Sequence, residues 1–207
     1  MSGVARTKSA GVIVTHDIRE TVIVRPPTPN PDITKRVDRM LVGPDTWEQL
    51  PDMEVARAGL SMFEYGDDII AIGGTDGSVI HKTAERYDFA ADEWNLISSM
   101  TIPRAYYQSV FTGGYIYVIG GVTTNGTGNL IISSAIERYD PANDTWTTLT
   151  AMPTDYNVAF GIAAVNGGNI FVLSGYRKSL GILNASILRY TIGSDTWTVI
   201  AELTDED

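Results

Sequence analysis

Short apolar runs alternate with polar turns along the chain, at a spacing too tight for helices. The most regular runs are IIAI (69–72), IYVI (116–119) and IFVL (170–173). Each is continuous and rich in β-branched and aromatic residues, which predicts strands buried on both faces. The first two close on a glycine pair, Gly73 with Gly74 and Gly120 with Gly121, and the third on Ser174 and Gly175. Such an ending predicts a sharp turn, because glycine alone takes positive φ freely. The strings that follow alternate in the strand manner, as in ERYD (137–140) and DTWTTL (144–149), with PAND (141–144) as turn chemistry between them. Together with RAYYQSVFT (104–112) upstream, each unit therefore reads as four strands.

The units repeat. Trp47, Trp94, Trp146 and Trp197 are separated by 47, 52 and 51 residues. Seven residues before them stand Met40, Tyr87, Tyr139 and Tyr190, each preceded by an arginine: Arg39, Arg86, Arg138 and Arg189. Six residues after the first three tryptophans comes Met53, Met100 or Met152. One four-stranded sheet is too thin to cover its own faces, so several must stack, with the large aromatics between them.

The double glycine, the tyrosine and the tryptophan seven residues later resemble kelch repeats over residues 37–202. The resemblance implies an all-β fold: kelch-type propeller blades of four antiparallel strands, the Arg57-type and Arg104-type strand innermost and the Trp strand outermost. Full blades are expected at 51–98, 99–149 and 150–202 and a partial or degenerate one at 37–50, within a domain of 37–207. That is fewer than kelch rings usually hold, so closure within one chain is not expected in the usual way. The third unit departs from the pattern at Ser174 and at Thr191.

Residues 1–36 do not fit the repeat and read as an N-terminal arm. Two short strands are expected there, GVIVT (11–15) and TVIVR (21–25), then the proline-rich spacer RPPTPNPD (25–32). The strands either supply the missing inner half of the first blade or reach a neighbouring subunit by adding to a sheet edge. Charge favours the second. Residues 1–40 hold seven basic and four acidic residues, +3, whereas the whole chain is −10, which leaves −13 for the remainder. An anionic body also repels phosphate backbones, so nucleic acid is not an expected partner.

Candidate chemistry is sparse. With no cysteine there is no disulfide, no thiolate ligand and no cysteine-linked tyrosine of the kelch-like copper-radical oxidases. His16 and His81 are the only histidines and fall in no ligand spacing, so neither a metal nor another cofactor is expected. No G-x-S-x-G elbow is present. Neither a secretion leader nor an apolar span of about 18 residues is evident, so an intracellular or virion-incorporated protein without membrane insertion is expected. The arginines 39, 86, 138 and 189 read as structural partners of acids on adjoining strands.

In kelch adaptors the loops entering the inner strand and those after the double glycine line the partner-binding face. Carried onto this chain, that face holds Arg57, Arg104, Tyr106, Tyr107, Tyr156, Tyr176, Arg177, Lys178 and His81, with Asp155 in the place of Arg104 in the third full unit. Tyrosine and arginine are frequent interface anchors. The expected function is a non-catalytic structural or protein-interaction subunit, forming a homo- or hetero-oligomer through the arm; a bacteriophage tail or capsid accessory protein would suit it. The alternatives are a soluble adaptor that captures a peptide on the loop face, and a carbohydrate-binding or sialate-epimerase-like propeller.

Overall fold

The computed structural model describes residues 12–16, 20–24, 35–41, 46–173 and 185–203. Among these residues, apart from one 3-10 turn at Thr154–Tyr156, the regular structure is entirely β. Four antiparallel four-stranded sheets follow in chain order. The first contains β1 (Val12–His16), β2 (Glu20–Val24), β3 (Val37–Leu41) and β4 (Thr46–Leu50). The second contains β5 (Ser61–Tyr65), β6 (Asp68–Ile72), β7 (Ala84–Asp88) and β8 (Glu93–Ile97). The third has β9 (Gln108–Thr112), β10 (Tyr115–Ile119), β13 (Ile136–Asp140) and β14 (Thr145–Thr148), and its β10–β13 loop carries the hairpin β11 (Val122–Thr124) and β12 (Leu130–Ile132). The fourth contains β15 (Ile162–Asn166), β16 (Asn169–Leu173), β17 (Ala185–Thr191) and β18 (Thr196–Leu203).

The first sheet shows the first of the two readings of the N-terminal strands. Strand β2 pairs with β3 in register Glu20↔Leu41 to Ile23↔Asp38, and β1 pairs with β2. These strands complete the first blade of their own chain. The physical reason is that β3 otherwise exposes a full edge of N–H and C=O groups, and the nearest strands in sequence satisfy it. Residues 1–11 and 25–34, with the proline-rich spacer, lie outside the described residues.

Blades stack face to face through a repeated set of contacts. Each tyrosine sits directly opposite its tryptophan, at ring-centroid distances of 5.2 Å (Tyr87 and Trp94), 4.9 Å (Tyr139 and Trp146) and 5.0 Å (Tyr190 and Trp197). The indole N–H then donates back to the preceding blade: Trp94 to Pro51 O at 3.0 Å, Trp146 to Ser98 O at 2.8 Å and Trp197 to Thr150 O at 2.8 Å. Each tyrosine hydroxyl donates to the aspartate of the turn, at 2.5 Å to Asp92, 2.7 Å to Asp144 and 2.5 Å to Asp195. Asp144 and Asp195 in turn accept the backbone N–H of Ser98 and Thr150, both at 2.9 Å. Burial, then these hydrogen bonds, push the tyrosine hydroxyls well above their ordinary pKa.

Three apolar clusters fill the three blade junctions. The first joins Val37, Leu50 and Met53 to Met62, Ile69 and Trp94; the second joins Ile70 and Ile72 to Tyr107 and Ile116; the third joins Tyr117 and Ile119 to Ile170 and Tyr190. The repeat methionines tuck into these junctions, Met53, Met100 and Met152 being 1%, 1% and 2% exposed. Of the four repeat arginines, Arg39 and Arg86 meet acids as expected, Glu48 and Asp68, whereas Arg138 lies over the Tyr115 ring at 4.4 Å from its centroid. Among the described residues, β1 packs against β5 and β9 against β15 along the inner edges of the blades.

Candidate functional site

The site is built where the chain enters each innermost strand, beside the loops that follow β6 and β10. Here the blades are tied around the axis by backbone. Tyr106 N donates to Gly59 O at 2.8 Å, and Phe160 N donates to Tyr106 O at 3.1 Å. Gly59, Tyr106 and Phe160 are therefore equivalent positions of successive blades, and all three take left-handed backbone, with φ of 62°, 55° and 58°. That conformation suits glycine and costs roughly 1–2 kcal/mol for a residue with a Cβ. Tyr106 and Phe160 nonetheless occupy it, stacked at 4.9 Å and 27° and exposed by 38% and 64%. Gly59 leaves room for them, since a Cβ there would lie 2.6 Å from the Tyr106 ring.

Beside this aromatic step runs a groove of about 680 Å³ between the 75–80 loop and the β11–β12 hairpin. Val79, Ile80, Val122 and Leu130 give it apolar walls, and Tyr106 lines it as well. Val79 and Leu130 are exposed by 53% and 62%. The 75–80 loop is internally braced: Asp76 accepts the N–H groups of Ser78 and Val79 at 2.8 and 2.7 Å, which lowers its pKa, and His81 Nε2 lies 3.1 Å from Asp76 Oδ2. The hairpin tip is braced likewise, Asn125 Oδ1 accepting from Thr127 N at 3.0 Å and Asn129 N at 2.9 Å. Both walls are thus preformed.

The sequence-derived set divides three ways. Tyr106 lies on the face. His81 is half-buried against Asp76, and the half-buried Tyr156 hydrogen-bonds the Glu202 carboxylate. Arg57, Arg104 and Tyr107 are corrections, because they are core residues that present nothing to a partner. Arg57 is 2% exposed, pairs with Glu85 at 2.9 Å and donates to the carbonyls of Gly73 and Thr83 at 2.6 and 2.9 Å. Arg104 is fully buried, pairs with Glu137 and donates to the carbonyls of Val118 and Ala135 at 3.1 and 2.9 Å. Burial drives its pKa down, and Glu137 opposes that. Tyr107 donates to Ile72 O at 2.6 Å and accepts from Ser61 N at 3.0 Å. Each serves the blade junction, where a buried polar group must find partners. Gly175, Tyr176, Arg177 and Lys178 lie outside the described residues.

Phe160, Val79 and Leu130 were missed. The signal for Phe160 was the glycine pair: Arg57 and Arg104 stand sixteen residues before Gly73 and Gly120, and sixteen before Ser174 stands Val158, not Asp155. The entry loop is longer in this blade, six residues from Met152 to Val158 against four from Met53 to Arg57 and from Met100 to Arg104, and the 3-10 turn at Thr154–Tyr156 lies within it. The structure confirms Val158, whose carbonyl accepts Gly121 N at 2.7 Å as Arg104 O accepts Gly74 N at 2.9 Å.

Residues 56–101 and 103–153 match the Kelch motif. This is a kelch-repeat protein. The kelch region is 36% identical over 137 residues to beta-scruin of Limulus polyphemus, covering 64% of this chain and 15% of that protein. It is 31% identical over 153 residues to kelch repeat and BTB domain-containing protein 2 of Horsepox virus, covering 68% of this chain and 27% of that one. The solved structure of YjhT superimposes with a TM-score of 0.73 at 13% identity, covering 96% of this kelch chain and 67% of that chain. The fold is thus that of a kelch β-propeller, and the chain spans only a small part of these curated relatives. Among its described residues, no three of His, Asp and Glu converge to hold a metal ion.

Proposed function

We propose that this kelch chain is a non-catalytic interaction module that seats an apolar or aromatic side chain of a protein partner on the Tyr106–Phe160 step. The observation that supports it is the pair of exposed, stacked rings held in left-handed backbone. Such a conformation costs stability, and glycine serves at the equivalent Gly59. A large aromatic surface on a rigid backbone is what interface anchors require. The groove walls, Val79, Ile80, Val122 and Leu130, favour a protein segment over a sugar, whose hydroxyls need a denser set of amides and carboxylates. The module works within a larger assembly, a virion being one setting that suits its size.

Selection of peptides from a random display library on the immobilised chain tests this. Selected peptides should carry an aromatic or large aliphatic anchor, and Phe160→Ala and Tyr106→Gly should each weaken them by about tenfold or more. Peptides that bind both variants as tightly as the parent chain would sink the assignment.

A further inference from the structure

Two asparagines of the chain are followed by glycine, Asn125 before Gly126 and Asn166 before Gly167. Such a pair is chemically special, because no Cβ on the glycine hinders its nitrogen from approaching the asparagine side chain. Both pairs are exposed in hairpin turns, the first at the β11–β12 tip and the second between β15 and β16. They differ in what surrounds the asparagine carboxamide.

Asn125 Oδ1 accepts three hydrogen bonds, from Thr127 N at 3.0 Å, Thr127 Oγ1 at 2.8 Å and Asn129 N at 2.9 Å. Fixed donors at this range stabilise negative charge that develops on the oxygen, and they make its carbon more electrophilic. The nucleophile beside it is open. Among the described residues no hydrogen bond holds the Gly126 N–H, and a Cβ at Gly126 would meet nothing within 4 Å. Asn166 lacks this cradle. Its Oδ1 accepts no hydrogen bond among the described residues, and the bond from Asn169 Nδ2, at 3.5 Å, goes to its main-chain oxygen.

We propose that Asn125 is a self-modifying site, at which the fold promotes closure of the side chain on the Gly126 nitrogen. The nitrogen gives up its proton to solvent base and bonds to Asn125 Cγ. Negative charge then rests on Oδ1, where the three donors meet it. The bond from Cγ to Nδ2 breaks, ammonia leaves with a proton from water, and a five-membered succinimide remains. Water reopens the ring, at Cγ to give aspartate or at the main-chain carbonyl to give isoaspartate. The sum is one water consumed and one ammonia released, with no redox change.

The product alters the tip. Isoaspartate lengthens the main chain by one methylene between two turn hydrogen bonds, Asn125 N to Asn129 O and Gly128 N to Asn125 O, both at 2.9 Å. It also places a carboxylate beside the groove that Gly128 lines. Only that consequence rests on the groove being a partner site; the chemistry does not.

Incubation of the folded chain in mildly alkaline buffer made with ¹⁸O-labelled water tests the proposal. Peptide mapping with electron-transfer fragmentation then reads label uptake and separates isoaspartate from aspartate. Asn125 should convert about tenfold or more faster than Asn166. In urea, where the donors are lost, Asn125 should slow and the two sites should converge. Thr127→Ala removes one donor from an exposed residue, so it should slow Asn125 severalfold in the folded chain and leave Asn166 unchanged. Three results would overturn the proposal: Asn125 no faster than Asn166, Asn125 no faster folded than in urea, or Thr127→Ala converting as fast as the parent or faster. No partner takes part in these readouts, so they stand apart from the peptide selection on the Tyr106–Phe160 step.

Discussion

The buried pair of Arg104 and Glu137 is the sharpest test of how the blades are held, because the chain contains its own control. In the fourth blade, Val158 and Leu188 stand where the third has Arg104 and Glu137, and both are fully buried. The substitution is compensated by a third change. Glu137 also accepts the Thr101 N–H at 2.7 Å, and the residue equivalent to Thr101 is Pro153, which has no N–H to satisfy. Arg104→Val alone strands the Glu137 carboxylate in the core and takes donors from two carbonyls; the expected cost is about 3–5 kcal/mol. Glu137→Leu alone strands the guanidinium, at about the same cost. The double variant has no buried charge. It leaves the Thr101 N–H and the two carbonyls short of partners, at about 1 kcal/mol each, partly offset by the added apolar burial. It should therefore be no less stable than either single variant, and the coupling between the sites should reach about 3 kcal/mol or more. Urea unfolding followed by tryptophan fluorescence measures all four corners of the cycle. In a chain of this size each single variant should melt roughly 6–20 °C lower. Additive losses, or single variants within about 1 kcal/mol of the parent, would refute the reasoning.

Three further outcomes follow from the junctions. Gly120 has φ 64°, and a Cβ there would collide with the Val158 carbonyl, whereas Gly113 has φ 60° with nothing within 4 Å. Gly120→Ala should cost about 2–4 kcal/mol and Gly113→Ala only about 1, so paired denaturation curves isolate the blade contact from backbone strain. Trp146→Phe keeps the stack on Tyr139 but loses the hydrogen bond to Ser98 O; a loss of about 1–2 kcal/mol in the same assay is expected, and no loss would demote that bond. Burial pushes the Tyr107 hydroxyl up to about 12. Because its unfolded value is about 10, its stabilisation is complete below that pH and is lost as pH rises from about 10 to about 12. Tyr107→Phe should flatten that part of the stability profile, measured by thermal melts across alkaline buffers.

The blades were legible because each is specified locally. The apolar runs, the glycine pairs and the Tyr/Trp spacing all act within one sheet or across one junction, so their period survives in the sequence. The inner strands of the first blade were harder, because VIVTH and ETVIV carry no glycine pair or tryptophan to index them. Their membership is set by the open edge of β3, which only the folded sheet reveals. The candidate site was legible in part. Tyr106 was found, but Arg57 and Arg104 were placed on the partner-binding face because they stand where the chain enters the inner strand and because arginine is a frequent interface anchor. Their acids, Glu85 and Glu137, lie 28 and 33 residues away, and nothing in the local pattern says that the two meet.

Repetition also offers a way to separate what the fold needs from what it merely tolerates. Where a buried position changes between blades, its partners change with it: Arg104, Glu137 and Thr101 become Val158, Leu188 and Pro153 together. Such concerted replacement is what a packed interior demands, since a half-satisfied polar network is costlier than none. At Gly59, Tyr106 and Phe160 the rule differs. The left-handed backbone is kept in all three, because the N–H to carbonyl ladder around the axis requires it. The side chain grows from nothing to tyrosine to phenylalanine against the conformational preference of that backbone, with its ring half in solvent. Stacking of the two rings recovers about 0.5–1.5 kcal/mol, less than two left-handed residues cost. The fold is thus better served by glycine at all three positions, and that surplus is the ground on which a contact with a partner is proposed there.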